Sequence, residues 1–200
     1  MPPKPKYTKE QIIAAALEVV AEKGIEALTA KALGRALNTS TTPIFTVFSS
    51  MQEVQDAVKL AARERFEAYA HKTGQDMPLF KQVGMQMILF AKNEPRLYQF
   101  VFMSANGNGR SFDDIYRQLG DVADECLTAI QTDYGLSMDA AKTLFEHTWI
   151  HTFGIGTLCA TGMCTFTEEQ ISKMLTQDFT AMMLLLRSGK GNENESHENT

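Results

Sequence analysis

The chain has 200 residues, 44% of them hydrophobic and 22% charged, with a formal net charge of −5, a balance that supports a packed core and excludes disorder for its bulk. No purely apolar run is longer than Ala181 to Leu186, far short of the roughly 20 residues needed to span a bilayer, and the start MPPKPK lacks a signal peptide's apolar stretch, so the cytoplasm is the expected compartment. Three cysteines, Cys126, Cys159 and Cys164, show no CxxC spacing and fit reduced, packed thiols better than a disulfide frame or a zinc site.

Nothing alternates with period two over a useful length, whereas apolar residues recur at three and four almost throughout, which predicts an all-α fold. Thr8 and Gln11 form a capping box before a first helix whose buried stripe is Ile12, Ile13, Ala16, Leu17 and Val20, and Gly24 suits its left-handed stop. Two short helices follow, about Thr29–Leu37 and Thr41–Val47, then a longer one from Met51 to about Lys72. After a break at Gly74 to Pro78, helices are expected at Leu79–Asn93, Pro95–Met103, Phe112–Tyr134, Met138–Thr161 and Glu168–Arg187, the last opened by a second box, Thr167 with Gln170. The polar tail Ser188–Thr200 has no apolar face and is expected to be disordered. The domains expected are a three-helix head over residues 1–50, a helical body over 51–187, and the tail over 188–200.

The stretch LTAKALGRALNTSTTPIFTVFSSMQEV, Leu28 to Val54, carries most information. Thr29 can cap a helix whose Ala32, Leu33 and Ala36 face inward. Asn38 in the turn tolerates positive φ, Ser40 can cap the next helix, and Pro43 falls in its first turn, where missing amides cost little. Ile44, Val47 and Phe48 then return to the core. This is a helix-turn-helix, whose second helix enters a major groove. The charge agrees weakly: Met1 to Arg65 holds nine Lys and Arg against seven Asp and Glu, and the remainder ten against seventeen.

From about residue 8 to 60 the chain resembles, without gaps, the DNA-binding domain of the TetR family: a Thr-led helix, a short turn, a Ser-led recognition helix ending in Phe, and a Glu near the start of helix four. The resemblance implies a homodimer that binds double-stranded operator DNA, with helix four linking the head to a ligand-binding and dimerisation body. It places Thr29, Ser40, Thr41, Thr42, Pro43, Phe45 and Thr46 at positions that face DNA. Hydroxyls suit phosphates or bases there, and a proline or aromatic edge suits a thymine methyl. The family often has Gly at Asn38, Lys at Thr41 and Met51, and an aromatic followed by His at Thr46 and Val47. The recognition helix is therefore uncharged, and phosphates must be met by Lys4, Lys6, Lys9, Lys31 and Lys59, which predicts a small salt dependence. The MPPKPK start is read equally well as a minor-groove arm or as a simple chain end.

In the body, Met and aromatic residues at helical spacing are mostly core, but such side chains also line adaptable cavities. Because TetR relatives hold inducers between body helices, Phe90, Phe100, Met103, Phe112, Tyr116, Trp149 and Phe153 are the expected lining, suited to a lipophilic or aromatic effector. The stretch WIHTFGIGTL, Trp149 to Leu158, resembles the helix-eight pattern of a subgroup with Trp followed by His-Gly in its C-terminal domain, with Phe153 in place of the usual His. The family's dimer pairs the last two long helices. Ile171, Met174, Leu175, Phe179, Met182 and Leu186 form a wide apolar stripe that serves either such a bundle or an intramolecular face, and Gly154, Gly156 and Ala160 permit close approach.

Nothing in the sequence supports catalysis. His147 and His151 lie four apart, but Thr148 stands where HExxH has its glutamate and no third ligand is evident. The SANGNGRS loop, Ser104 to Ser111, follows a helix and does not read as a phosphate cradle. The expected function is thus a non-enzymatic regulator without a cofactor, a repressor released from a palindromic operator by a small ligand. The alternative is a dimeric small-molecule or metal-binding protein with weakened DNA binding.

Overall fold

In a computed structural model of the chain, the structure describes residues 6–70, 77–104 and 111–189, and every regular element among them is helical. Packing divides these residues into two compact units, one of residues 6–69 and 90–104 and one of 70, 77–89 and 111–189. Residues 1–5 of the MPPKPK start, Lys4 among them, most of the SANGNGRS loop and all but the first two residues of the polar tail lie outside the described residues.

The first unit begins with α1 (Lys9–Lys23). Its capping box is made in full, Gln11 N donating to Thr8 Oγ1 and Thr8 N to Gln11 Oε1, so two of the free amides of the first turn find oxygen. Ile12, Ala16, Val19 and Val20 face inward. Gly24 ends the helix at φ 83°, ψ 169°, a conformation that glycine adopts without strain although it is not the left-handed helical one expected. After a 3₁₀ turn at Ile25–Ala27, α2 (Ala30–Ala36) starts on the Thr29 cap and α3 spans only Thr42–Phe45. α4 (Met51–Ala70) buries Val54, Val58, Ala62 and Phe66, one residue per turn.

This unit does not end near residue 50. The last turn of α5 (Leu79–Asn93), α6 (Pro95–Tyr98) and the π-helical turn Gln99–Met103 that continues it complete the core. Phe66 meets Phe90 and Phe102 with ring centroids 5.6 and 5.1 Å apart, Tyr69 meets Phe90 at 5.2 Å, and Tyr98 meets Phe102 at 5.1 Å. Arg65 of α4 pairs with Glu18 of α1 at 2.9 Å and also with Glu94. Each fully buried large apolar side chain contributes about 1.5–3 kcal/mol.

The second unit holds the earlier turns of α5 with α7 (Phe112–Leu119), α8 (Asp121–Tyr134), α9 (Met138–Ala160) and α10 (Glu168–Arg187). The single helix expected from Phe112 to Tyr134 is two, because Gly120 adopts φ 53°, ψ −134°, a region nearly closed to residues with a Cβ. α9 packs along α10 and α8, and Met85, Ile88, Ile155, Ile171 and Leu175 form a buried cluster there. The Thr167–Gln170 box opens α10 as expected.

Candidate functional site

In the head, the turn between α2 and α3 is built from backbone constraints. Asn38 takes φ 51°, the positive value its side chain tolerates. Thr39 N then donates to Gly34 O at 2.8 Å, and the chain folds so closely over Gly34 that a Cβ there would lie 3.0 Å from the Thr39 carbonyl oxygen. Gly34 therefore takes a buried position, while Ala36, expected inside, is exposed because the chain turns at Leu37 before that face can be covered. The Ser40 cap is not made either: the residue preceding α3 is Thr41, helical at φ −74°, ψ −18°, with no capping side-chain bond. Ile44 and Phe48 anchor α3 from beneath, 0% and 1% exposed, whereas Val47 is half-buried.

The other face of this segment is open. Thr29, Lys31, Ser40, Thr42, Phe45 and Thr46 are exposed, Thr41 and Pro43 half-buried, and Phe45 keeps 46% of its surface in solvent. Thr29 is committed to its cap, accepting from Ala32 N at 3.1 Å, and Thr46 donates to Pro43 O at 2.7 Å, which leaves Lys31, Ser40, Thr42 and Phe45 exposed, the last two on α3 itself.

Two anchors escaped the sequence reading. Tyr7 donates its hydroxyl to Leu37 O at 2.6 Å, tying the residues before α1 to the turn, and Lys6 reaches Thr39 Oγ1 at 3.4 Å. At the start of α4, Glu53 accepts from Ser49 N and Oγ at 2.7 and 2.8 Å while Glu53 N donates to Ser50 Oγ, and these bonds hold its carboxyl below the usual range. The pattern Ser-x-x-x-Glu was a legible signal for this cap. Of the other lysines, Lys9 lies over the Phe48 ring at 5.4 Å and Lys59 over Phe100 at 6.0 Å.

The second unit encloses a cavity of about 260 Å³, small for a ligand pocket, where roughly 300–1,000 Å³ is usual. Its walls come from the first turns of α5 (Phe80, Lys81, Val83, Gly84), from Leu119, from α8 (Val122, Cys126, Tyr134), from α9 (Phe145, Thr148, Trp149, Thr152) and from α10 (Leu175, Thr176, Phe179). Aromatic rings frame it: Phe145 stacks on Trp149 at 6.0 Å, Phe80 meets Phe145 at 5.8 Å, and Tyr134 meets Phe179 at 4.9 Å. Burial pushes the Cys126 thiol up to about 12, so it lines the wall as a small apolar group and not as a nucleophile.

Of the seven residues expected to line a pocket, Trp149 does. Phe90 and Phe100 are core of the first unit, 0% and 8% exposed, and Met103 lies in its π-helical turn. Phe112 and Tyr116 stand one ring behind the wall. Tyr116 meets Phe145 at 5.2 Å and donates to Glu146 at 3.2 Å, and its own burial, reinforced by that carboxylate, keeps its hydroxyl protonated. Phe153, half-buried on α9, is not among the lining residues. His147 is exposed, and His151 Nδ1 lies 3.9 Å from Asp178 Oδ1.

The α10 stripe serves the interior of its own unit: Ile171 and Leu175 are buried, and Leu175 and Phe179 face the cavity. Apolar surface remains elsewhere on these two helices, at Ile150, Leu184 and Leu185, 57%, 66% and 42% exposed, with open space over Gly154.

A short, uncharged helix presented by a tight turn on a three-helix head is the geometry of a helix-turn-helix that reads DNA. Residues 12–58 match the family model described as bacterial regulatory proteins, tetR family. The match covers less than a quarter of the chain, so what it marks as similar to the tetR family is the head. Among solved structures, a TetR-family protein from Vibrio parahaemolyticus is 16% identical with a TM-score of 0.58, covering 86% of this chain and 96% of that one. A second, from Mesorhizobium loti MAFF303099 and described as a TetR-family regulator, is 15% identical with a TM-score of 0.56, covering 90% and 98%. At those identities the likeness is one of fold. No curated protein matches the sequence. The family-model match stops short of the Trp149–Leu158 stretch, so the subgroup resemblance stands on those residues alone. No described helix is long and apolar enough to cross a membrane.

Proposed function

We propose that this protein is a ligand-responsive transcription regulator, a homodimer that binds a palindromic operator through two heads and is released when a small molecule occupies the cavity of each body. The observation that carries the reading is the exposure of Thr42 and Phe45 on a recognition helix fixed from beneath by Ile44 and Phe48. Lys6 and Lys31, with Lys4 of the MPPKPK start, supply phosphate contacts beside it, and the hydroxyls and the Phe45 edge read bases. Two-fold symmetry follows from half-sites about 34 Å apart, and the apolar surface of Ile150, Leu184 and Leu185 beside Gly154 supplies the mating face on α9 and α10. Release is a population shift: the ligand favours a body conformation in which the heads no longer match the half-site spacing, so DNA and ligand must weaken each other's binding equally. The cytoplasm and a non-catalytic role accord with this reading.

The test is selection from a random duplex pool by the purified protein, repeated with Thr42 and Phe45 both changed to Ala. Recovery of a palindrome that the double variant fails to enrich supports the proposal. No enrichment even at low salt sinks it and favours the second reading, a dimeric ligand-binding protein with weakened DNA binding, to which the uncharged recognition helix points.

A further inference from the structure

The cavity is chemically one-sided. Its walls are aromatic and aliphatic, no carboxylate lies among its lining residues, and the one charged side chain there is Lys81, which makes no ion pair within the described chain. Lys81 is half-buried, its stem against the apolar wall and no acidic partner beside it among the described residues, so its ammonium is available to an anion at the edge of the cavity. Thr152, on the same walls, is a second polar group: it is 5% exposed, and among the described residues its hydroxyl makes no hydrogen bond, whereas the neighbouring Thr148 donates its own proton to Leu144 O at 2.7 Å. Gly84 lies opposite: a Cβ there would come within 3.5 Å of Thr152 Oγ1 and of Leu175, so the glycine keeps the approach to that hydroxyl open in the middle of a helix where alanine would be the more stable choice.

We infer that the effector is an amphipathic organic acid, a lipophilic or aromatic body packed between the rings of Phe145, Trp149 and Phe179 with its carboxylate at Lys81 and Thr152 offering a hydrogen bond along the way. The inference rests on the reading of this cavity as the effector site and specifies what enters it. A neutral molecule of the same shape leaves Lys81 without an anion, and a cationic one sets like charges together.

The experiment uses 4-phenylbutyrate, 4-phenylbutanamide and 4-phenylbutylamine, three molecules of one shape with an anionic, a neutral and a cationic end, titrated into the full chain. Binding is read from the fluorescence of Trp149, the only tryptophan in the chain and part of the wall. The acid is expected to bind roughly ten- to a hundredfold more tightly than the amide, the size of one charge-assisted hydrogen bond, with the amine weakest. Lys81→Met brings the acid to the level of the amide and leaves the amide unchanged, Lys81→Arg retains the preference, and Gly84→Leu, which fills the space, weakens all three. Equal binding of acid and amide, or a preference that survives Lys81→Met, overturns the inference while the cavity stands as a ligand site. Failure of all three molecules to bind overturns the inference and the effector site together. An acid preference that depends on Lys81, in a protein that selects no operator, upholds the inference and sinks the regulator reading alone.

Discussion

Each of the two units carries a cluster of aromatic rings, and the clusters differ in what they leave between them. In the first, Phe66, Phe90, Phe102, Tyr69 and Tyr98 meet one another ring to ring, with Phe66, Phe90 and Tyr98 buried. In the second, Phe80, Phe145, Trp149, Tyr134 and Phe179 stand around a void of about 260 Å³. Both clusters draw on aromatic residues set on helices. Aromatic content therefore marks where large side chains gather and not whether they close on one another; the choice is made by packing between segments distant in sequence.

The sharpest way to break this contrast is to truncate one ring from each cluster. Phe90→Ala should cost about 3–5 kcal/mol of stability in urea unfolding, because Phe90 is fully buried against Phe66 and Tyr69. Phe179→Ala, half-buried beside existing space, should cost less than half of that. Similar losses at the two sites would show that the body cluster is as closely packed as the other. Next in size is Gly34→Val, which forces a methyl against the Thr39 carbonyl and should cost about 1–3 kcal/mol as an overpacking change. Operator affinity should fall further than stability accounts for, since the same contact sets the pitch of the turn before α3.

A smaller effect separates the units by pH. The Cys126 thiol, ordinarily near 9, is raised to about 12 in the folded cavity wall. Between those values the folded state holds a proton that the unfolded state releases, so stability is intact below about pH 9 and falls as pH rises through the window. Burial raises Tyr116 and Tyr134 as well, adding to the fall at the alkaline end. Cys126→Ala should remove the portion of the slope nearest pH 9, which a denaturation series from pH 8 to 10 would reveal; an unchanged slope would mean the thiol is not shielded as described. Smallest per step is the salt dependence of operator binding. If, as proposed, each of two heads meets DNA with Lys4, Lys6 and Lys31, the log–log slope should be no steeper than about −5, and Thr42→Lys should steepen it by roughly 2. A wild-type slope near −10 would mean that cations beyond these meet the duplex.

The head was largely legible in the sequence because its signals are local. The Thr8–Gln11 box, the Thr29 cap, the Asn38 turn and Pro43 each act within four residues, and each is where the pattern put it. What failed there was also local but finer: Ser40 lost its role because the chain arrives at α3 already in a helical conformation. The cavity was not legible. Its walls come from five helices, and deciding between Phe80 and Phe90 on α5 requires knowing which turn of that helix packs against α9 and α10 and which belongs with α4. Gly120 hid a further boundary, since an isolated glycine in a helical pattern is often tolerated and here it is not.

The late return of the chain to the first unit bears on how such proteins can be recombined. A head cut at residue 50 would leave behind Phe66, Phe90 and Phe102, together with the Arg65 and Glu94 pair. Chimeras that graft this head onto another body therefore need residues 90–104 as part of the donor, whereas on the proposed reading a change of operator preference needs only substitution at Thr42 and Phe45.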